Sequence, residues 1–152
     1  MDPHEFRIDE NPRLEDREAL SDALYAFNAA ATGVDDGRWL SIFVRDGGGA
    51  LEAGLHGWTW GGTGHVDNLW VREDLRGRGM GAGLLTAAEE EAARRGCREM
   101  QLSTHSYQAP AFYARQGYEA IGELPGWPGA TTRVFFRKAL SPTGPSPAAD
   151  RL

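Results

Sequence analysis

The sequence predicts a mixed α/β domain (α+β) in which antiparallel strands come first and a strand–helix–strand crossover follows. Three segments rich in β-forming residues, separated by the glycine-rich stretches DGGG and GGTG, predict an antiparallel meander. A helix with a narrow apolar stripe of small residues follows the third segment. Because another β-rich segment follows that helix directly, the crossover should pair its two strands in parallel.

The N-terminal part predicts a short strand and one helix. Residues 5–8 (EFRI) are β-forming and predict the strand. Asn11 can cap the helix and Pro12 suits its first turn, whereas Gly33 ends it. Between them, apolar residues recur at spacings of four and three, namely Leu20, Leu24 and Phe27. The helix is therefore predicted from Asn11 to Thr32.

The later elements are predicted from the same kinds of signal. The strands of the meander are Arg38–Arg45, Leu51–Trp60 and Gly64–Val71. The long helix runs from Gly79 to Arg95, with residues 89–91 (EEE) on a solvent-exposed face. It is followed by a strand (97–104), a short helix (109–116), the strand YEAIGE, the loop LPGWPG (124–129) and a last strand (131–138). A single domain is predicted over residues 1–140, with a disordered Pro- and Ser-rich tail over 141–152.

Composition narrows the class of protein. A chain of 152 residues is about one domain, and a formal net charge of -6 disfavours a nucleic acid or an anionic membrane as partner. Cys97 is the only cysteine, which excludes an internal disulfide and a cysteine-based zinc site. His56 and His105 lack companions at metal-ligand spacing, so no metal is expected. With no apolar run of membrane-span length and an acidic N-terminus unlike a signal peptide, a cytoplasmic protein is expected.

Residues 76–83 (RGRGMGAG) join the third strand to the long helix and predict an anion site. Glycine tolerates positive φ and lets a ligand approach the main chain closely. The start of the helix adds unpaired N–H groups and the positive end of the helix dipole, an arrangement that suits a diphosphate. Arg76 and Arg78 add positive charge.

Two other phosphate-binding patterns fit this turn less well. A Walker loop is excluded because no Lys-Ser or Lys-Thr occurs here. Gly77, Gly79 and Ala82 formally match the dinucleotide pattern G-x-G-x-x-[GA]. In that fold, however, the strand runs straight into the first glycine and an acidic residue ends the next strand. Here residues 72–76 intervene, and the next strand ends in LSTHS.

The stretch Arg76-Gly77-Arg78-Gly79-Met80-Gly81 fits the pattern [QR]-x-x-G-x-[GA] and resembles the acetyl-CoA diphosphate loop of the GNAT superfamily of N-acetyltransferases. Downstream, APAFYARQGYEAIGE resembles the second landmark of that family, a helix with an aromatic residue and a tyrosine followed by Gly-Phe or Gly-Tyr. The resemblance covers residues 51–140 and is closest to small bacterial members. It implies the GNAT fold: a mixed, mostly antiparallel sheet of six to seven strands with a V-shaped splay, and about four flanking helices.

The resemblance also implies how acetyl-CoA, the expected co-substrate, is bound. The turn over residues 76–82 would hold the diphosphate, and the backbone of residues 69–71 would pair with the pantetheine arm inside the splay. Ser106 stands where many members have Asn. The predicted cofactor-binding residues are Leu69, Trp70, Val71, Arg76, Gly77, Arg78, Gly79, Met80, Gly81, Ala82, Ser106 and Phe112.

Tyr113 and Asp67 are the predicted catalytic residues. A tyrosine hydroxyl is protonated at neutral pH, so Tyr113 is assigned as the general acid for the departing thiolate. Members of the family often place an acidic residue near the end of the third strand, which makes Asp67 the predicted base, with His65 and a water chain left open as alternatives. Cys97 is assigned a structural role, because the family implies direct attack without an acyl-enzyme.

Strand alternation adds an expectation about faces. It puts Asp67, Leu69 and Val71 on one face of the third strand together with His65. The opposite face would then carry Val66, Asn68 and Trp70.

The predicted function is an acetyl-CoA-dependent N-acetyltransferase that acts on a primary amine of a small molecule in a ternary complex. A peptide or protein amine as acceptor remains an alternative, as does a non-catalytic acyl-CoA sensor on the same fold. A dinucleotide-binding oxidoreductase is the alternative outside the family. The acidic charge fits a cationic acceptor, and a homodimer is the assembly that the resemblance implies.

Overall fold

A computed structural model describes residues 6–145 of the chain. These residues form one six-stranded sheet in the order β1-β2-β3-β4-β6-β5 with three α-helices. The fold class predicted from the sequence is confirmed, with one helix fewer than expected. In chain order the elements are α1 (Leu14–Thr32), β1 (Arg38–Arg45), β2 (Leu51–Trp60), β3 (Thr63–Val71), α2 (Met80–Arg94), β4 (Glu99–His105), α3 (Pro110–Arg115), β5 (Glu119–Trp127) and β6 (Thr131–Ala139).

The predicted meander is present, and its strand bounds agree with the sequence to within one residue. Antiparallel pairing joins β1 to β2 and β2 to β3. The turn before β3 uses Gly61 and Gly62, whose φ angles of 58° and 87° lie in the left-handed region. Tight turns of this kind keep the three strands adjacent in space.

The crossover through α2 pairs β3 with β4 in parallel, but only over a short length. Four residue pairs connect the strands, and the last is Val66 with Leu102. Beyond that pair the two strands have no backbone pairing in the described chain, so the sheet opens between them. This opening is the predicted V-shaped splay, and it lies beside the turn that leads into α2.

The core lies between α2 and one face of the sheet. Leu84, Leu85, Ala88 and Ala92 of α2 are buried against that face, as the apolar stripe predicts. The small residues let the helix axis approach the strands closely. We call the opposite surface of the sheet the far face. Alternation and strand pairing put Trp58, His65, Gln101, His105 and Arg133 on it.

The N-terminal prediction is wrong in three respects. The helix begins at Leu14 with Arg13 at its N-cap, so Asn11 does not cap it. Residues 6–8 form no strand, and residue 5 lies outside the described residues. The helix is present, but its apolar residues do not face the core: Leu20, Leu24 and Phe27 are 74%, 59% and 69% exposed. The helix is anchored near its C-terminal end, where Tyr25 Oη accepts a hydrogen bond from the Gly37 amide and the ring packs edge-on against Trp60.

The predicted loop LPGWPG is largely strand. Strand β5 continues to Trp127, which pairs with Thr131 of β6 across a register shift. The reading of residues 89–91 as a solvent-exposed face is also wrong for Glu89, whose side chain is only 12% exposed. Glu89 accepts hydrogen bonds from Tyr118 Oη at 3.0 Å and from Lys138 Nζ at 2.7 Å.

The tail begins attached to α2. The amides of Thr143 and Gly144 both donate to the Ala93 carbonyl oxygen. The disorder predicted for residues 146–152 lies outside the described residues.

Candidate active site

The glycine-rich turn adopts the backbone geometry that its sequence predicts. Gly77 has φ 72° and Gly79, the N-cap of α2, has φ 82° and ψ 0°. Both angles lie in the left-handed region, where a side chain costs about 1–2 kcal/mol. A Cβ on either glycine would meet no atom within 4 Å, so the backbone conformation, and not crowding, requires glycine here.

The amides of this turn are free to bind a ligand. The first backbone hydrogen bond of the helix runs from the Gly83 amide to the Gly79 carbonyl, at 2.9 Å. Within residues 6–145, no backbone oxygen accepts a hydrogen bond from the amides of residues 77–82. Six consecutive N–H groups at the positive end of a helix dipole match the needs of a diphosphate. Arg76 holds the turn against the sheet, since its Nε donates to the Val71 carbonyl oxygen at 2.9 Å.

The second predicted landmark packs directly on the first. The Phe112 ring lies so close to Gly81 that a Cβ there would come within 3.5 Å of it. Phe112 also packs edge-on against Tyr113, with ring centroids 5.0 Å apart. The structure therefore brings the start of α2 and the start of α3 together beside the opening of the sheet.

Tyr113 is buried, with 7% of its surface exposed. Its ring packs against those of Tyr118 and Phe136, each 5.9 Å away between centroids. Burial raises the pKa of the Tyr113 hydroxyl to about 12, because the charged phenolate is poorly solvated there. The hydroxyl therefore keeps its proton throughout the neutral range.

Residues 69–71 form one edge of the opening. Leu69, Trp70 and Val71 pair with β2 on one side. Toward β4 they have no strand partner in the described part of the chain, because the β3–β4 pairing ends at Val66. A strand edge with unpaired backbone groups can accept an extended ligand as an added strand, and the pantetheine arm has that shape.

Strict alternation along β3 is wrong because the strand contains a β-bulge. Asn68 pairs with His56 and Val66 pairs with Gly57, so Asp67 is an extra residue between them. Val66 consequently shares the core face with Leu69, whereas Asn68 shares the far face with His65. The sequence contains no signal that locates this bulge.

The bulge joins the two side chains that were predicted as rival bases. His65 Nδ1 lies 3.0 Å from Asp67 Oδ1, a close contact that lacks the alignment of a full hydrogen bond. Both side chains are partly exposed on the far face, at 30% and 38%. His65 also stacks on Trp58, with ring centroids 5.1 Å apart. Asp67 and His65 therefore form one pair, at the point where β3 separates from β4.

Ser106 lies at the end of β4 and joins it to β6. Its Oγ accepts a hydrogen bond from the Thr132 amide at 3.1 Å, and its own amide donates to the Thr132 carbonyl at 2.8 Å. The hydroxyl can still donate one hydrogen bond. Its contact with the cofactor stays a prediction.

Cys97 is placed where a structural cysteine is expected. It is 1% exposed and lies near the C-terminal end of α2, away from the glycine turn at the other end. Burial raises the pKa of its thiol, which disfavours the thiolate. Among residues 6–145, no three His, Cys, Asp or Glu side chains are grouped as metal ligands, and no helix is both long and apolar enough to cross a membrane.

The sequence reasoning missed a cluster on the other rim of the opening. His105 stacks on Tyr107 at 5.4 Å and meets Trp127 edge-on at 4.6 Å between centroids. Arg133 lies over Trp127, 5.9 Å from the ring centre, and its Nε donates to Ser103 Oγ at 2.9 Å. These residues lie far apart in sequence, and only the alternation of β4 and β6 could have placed His105 and Arg133 on one face.

Comparison with known proteins decides the family. The model of the acetyltransferase (GNAT) family matches residues 4–118. The chain belongs to the GNAT acetyltransferase family. It is 39% identical over 119 residues to an acetyltransferase of Agrobacterium fabrum, covering 78% of this chain and 87% of that protein. It is also 40% identical over 96 residues to the blasticidin-S acetyltransferase of Streptomyces morookaense, covering 60% of this chain and 68% of that protein.

Solved structures agree with the GNAT assignment. The crystal structure of an acetyltransferase from Agrobacterium tumefaciens superimposes with a TM-score of 0.79 at 33% identity, covering 90% of this chain and 99% of that one. A streptothricin acetyltransferase of Bacillus anthracis, solved in complex with acetyl coenzyme A, shares the fold at a TM-score of 0.58 and 15% identity, covering 67% of this chain and 62% of that one. The protein is therefore an acetyltransferase of the GNAT family. This assignment excludes the alternative of a dinucleotide-binding oxidoreductase.

Proposed function

We propose that this GNAT protein is an acetyl-CoA-dependent N-acetyltransferase that acts on the primary amine of a small molecule. One observation carries the proposal: the turn whose amides at residues 77–82 have no backbone acceptor in the described residues is joined to Tyr113 through Phe112, which packs on both Gly81 and the Tyr113 ring. The relative named as a blasticidin-S acetyltransferase supports a small-molecule acceptor.

The residues of the turn and of the opening fit acetyl-CoA. The amides of Gly77 to Ala82, with Arg78 beside them, would bind the diphosphate. The edge of Leu69 to Val71, where the Val71 carbonyl oxygen is already bonded to Arg76 Nε, would bind the pantetheine arm through its remaining backbone groups, and Phe112 would close the space over Gly81. When bound, acetyl-CoA supplies the activated acetyl group as a thioester.

The chain itself would manage two protons. The Asp67–His65 pair on the far face would take a proton from the ammonium form of the acceptor, which makes the amine nucleophilic. Tyr113 would hold a proton at Oη and donate it to the departing thiolate as the C–S bond breaks, and the second proton that the acceptor nitrogen releases after its attack would return Tyr113 to its neutral form. The buried Cys97 lies away from the opening and takes no part, in keeping with direct attack by the amine.

A tyrosine pair provides the test. Tyr113→Phe removes the proposed acid, whereas Tyr118→Phe removes a neighbouring buried hydroxyl that donates to Glu89. We expect Tyr113→Phe to lower kcat by roughly 10²–10⁴-fold while the affinity for acetyl-CoA stays unchanged. We expect Tyr118→Phe to lower stability and leave kcat almost unchanged. The measurement is thiol release from acetyl-CoA with a panel of amines, together with calorimetric titration of acetyl-CoA.

The same two variants distinguish an enzyme from a non-catalytic acyl-CoA sensor. A sensor would bind acetyl-CoA with no thiol release for any amine, and Tyr113→Phe would change neither quantity. Equal kcat values for Tyr113→Phe and the unmodified protein, with turnover present, would overturn the assignment of Tyr113 as the acid. Acetylation of peptides in preference to small amines would move the proposal to a peptide acceptor.

A further inference from the structure

The opening has two rims on the far face of the sheet. Asp67 and Ser103 are the next residues on β3 and β4 after the last paired residues, Val66 and Leu102. The first rim carries the Asp67–His65 pair, whose carboxyl group is the acidic group on this side. The second rim carries Arg133, which the Ser103 hydroxyl holds in place. A carboxylate and a guanidinium therefore lie on the same face of the sheet, one on the β3 side of the opening and one on the β4–β6 side.

Arg133 is held in place without an ion pair in the described residues. Its Nε is fixed by Ser103 Oγ, and its guanidinium lies over Trp127 and over Phe135, 5.4 Å from the latter ring centre. Within residues 6–145 no carboxylate lies within 4 Å of it, and no acceptor bonds its Nη atoms. By contrast, Arg137 on the same strand and face is paired with Glu99 and Glu119. A half-buried guanidinium held by a hydroxyl and two rings, with both Nη groups available, is suited to bidentate binding of a carboxylate.

Aromatic residues lie beside Arg133 on this rim. Trp127 is 37% exposed and meets His105, whose Nδ1 is buried and without a hydrogen-bond partner in the described residues. Tyr107 covers the other side of the His105 ring and is 65% exposed. Trp127 and Phe135 cover part of the guanidinium, and partial removal of water strengthens its interaction with an anion.

We propose that the acceptor is an amino carboxylate: a primary amine that also carries a carboxylate close enough to span the opening. The ammonium group binds at Asp67 and His65, and the carboxylate binds at Arg133. This inference rests on the proposed N-acetyltransferase activity and adds the chemical class of its substrate. In such an acceptor the ammonium group meets the acidic rim and the carboxylate meets Arg133. A plain diamine would instead bring a second cation to Arg133.

The test compares each acid with its own amide. L-amino acids and the matching L-amino acid amides have the same side chain and differ in the carboxylate. Because the amine of the amide loses its proton more readily, that difference works against a preference for the acid. We expect thiol release from acetyl-CoA to be at least tenfold more efficient, in kcat/KM, for the acids that the enzyme accepts than for their amides. Arg133→Gln should raise the KM of those acids by roughly 10- to 100-fold and leave the KM of the amides within about threefold. Arg137→Gln, the matched control, should leave both unchanged.

Each outcome decides one point. Amides that are used as well as acids by the unmodified enzyme, or an Arg133→Gln variant that impairs both equally, would overturn the inference and leave the acetyltransferase activity standing. Calorimetric binding of acetyl-CoA without acetylation of any amino acid would overturn it as well. The absence of acetyl-CoA binding would instead refute the proposed function. Because the comparison of acid with amide needs no variant, it decides the matter even if Arg133→Gln fails to fold.

Discussion

The glycine turn allows a quantitative prediction from two substitutions in one segment. Gly79 has φ 82° and Gly83 lies inside α2 with ordinary helical geometry, and a Cβ on either would meet nothing within 4 Å. Gly79→Ala should therefore cost about 1–2 kcal/mol of unfolding free energy through backbone strain alone. Gly83→Ala should gain about 0.8–1 kcal/mol, because alanine is the better helix former.

The two variants should also differ in coenzyme A binding. If Gly79→Ala turns even one amide away from the diphosphate, the loss of a hydrogen bond to a charged group is about 1.5–3 kcal/mol. That loss corresponds to an affinity lower by roughly 10- to 150-fold. Gly83→Ala adds a methyl group at the residue that follows the free amides of residues 77–82. This variant should bind coenzyme A with the affinity of the unmodified protein.

Urea unfolding measures the first effect and calorimetric titration of coenzyme A measures the second. A Gly79→Ala variant that is as stable as the unmodified protein would contradict the left-handed geometry at that position. A variant that is destabilised but binds coenzyme A with full affinity would contradict the role of these amides. The opposite sign expected for Gly83→Ala controls for any general effect of a Gly→Ala change.

The remaining predictions concern protons and buried charge. Asp67→Asn should lower kcat by roughly 10²–10⁴-fold, whereas unchanged rates would exclude the Asp67–His65 pair as the base. The folded protein should lose stability as pH rises from about 10 to about 12, because burial raises the pKa of Tyr113 and the unfolded chain gives up that proton first. One pKa unit corresponds to about 1.4 kcal/mol of unfolding free energy. In Tyr113→Phe, the unfolding free energy should therefore fall less steeply with pH over this range. Lys138→Met should cost about 2–4 kcal/mol, since it leaves the 12%-exposed Glu89 carboxylate without its cation; a melting temperature equal to that of the unmodified protein would refute this.

Local signals in the sequence predicted the elements that position the site. Glycine pairs and β-rich segments located the meander strands, and the small-residue stripe located α2, because turn chemistry and periodicity are local properties. The glycine turn was predicted for the same reason, because few residues other than glycine adopt the positive φ angles found at Gly77 and Gly79.

The features that the sequence did not predict depend on tertiary pairing. The bulge at Asp67 arises from the register of β3 against β2, and no residue type at that position marks it. The apolar residues of α1 are exposed, so their spacing predicted the helix correctly but did not predict whether its apolar side packs against the core. Likewise, Arg133 and Ser103 come together only because β6 returns beside β4.

Nuclear magnetic resonance offers the most direct measurement of the central claim that the amides of residues 77–82 bind the diphosphate of coenzyme A. In a ¹⁵N–¹H titration with coenzyme A, the amide resonances of Gly77, Gly79 and Gly81 should shift most, while those of the distant turn glycines Gly47 and Gly49 stay in place. Saturable binding of coenzyme A with no change at Gly77 to Ala82 would contradict the account.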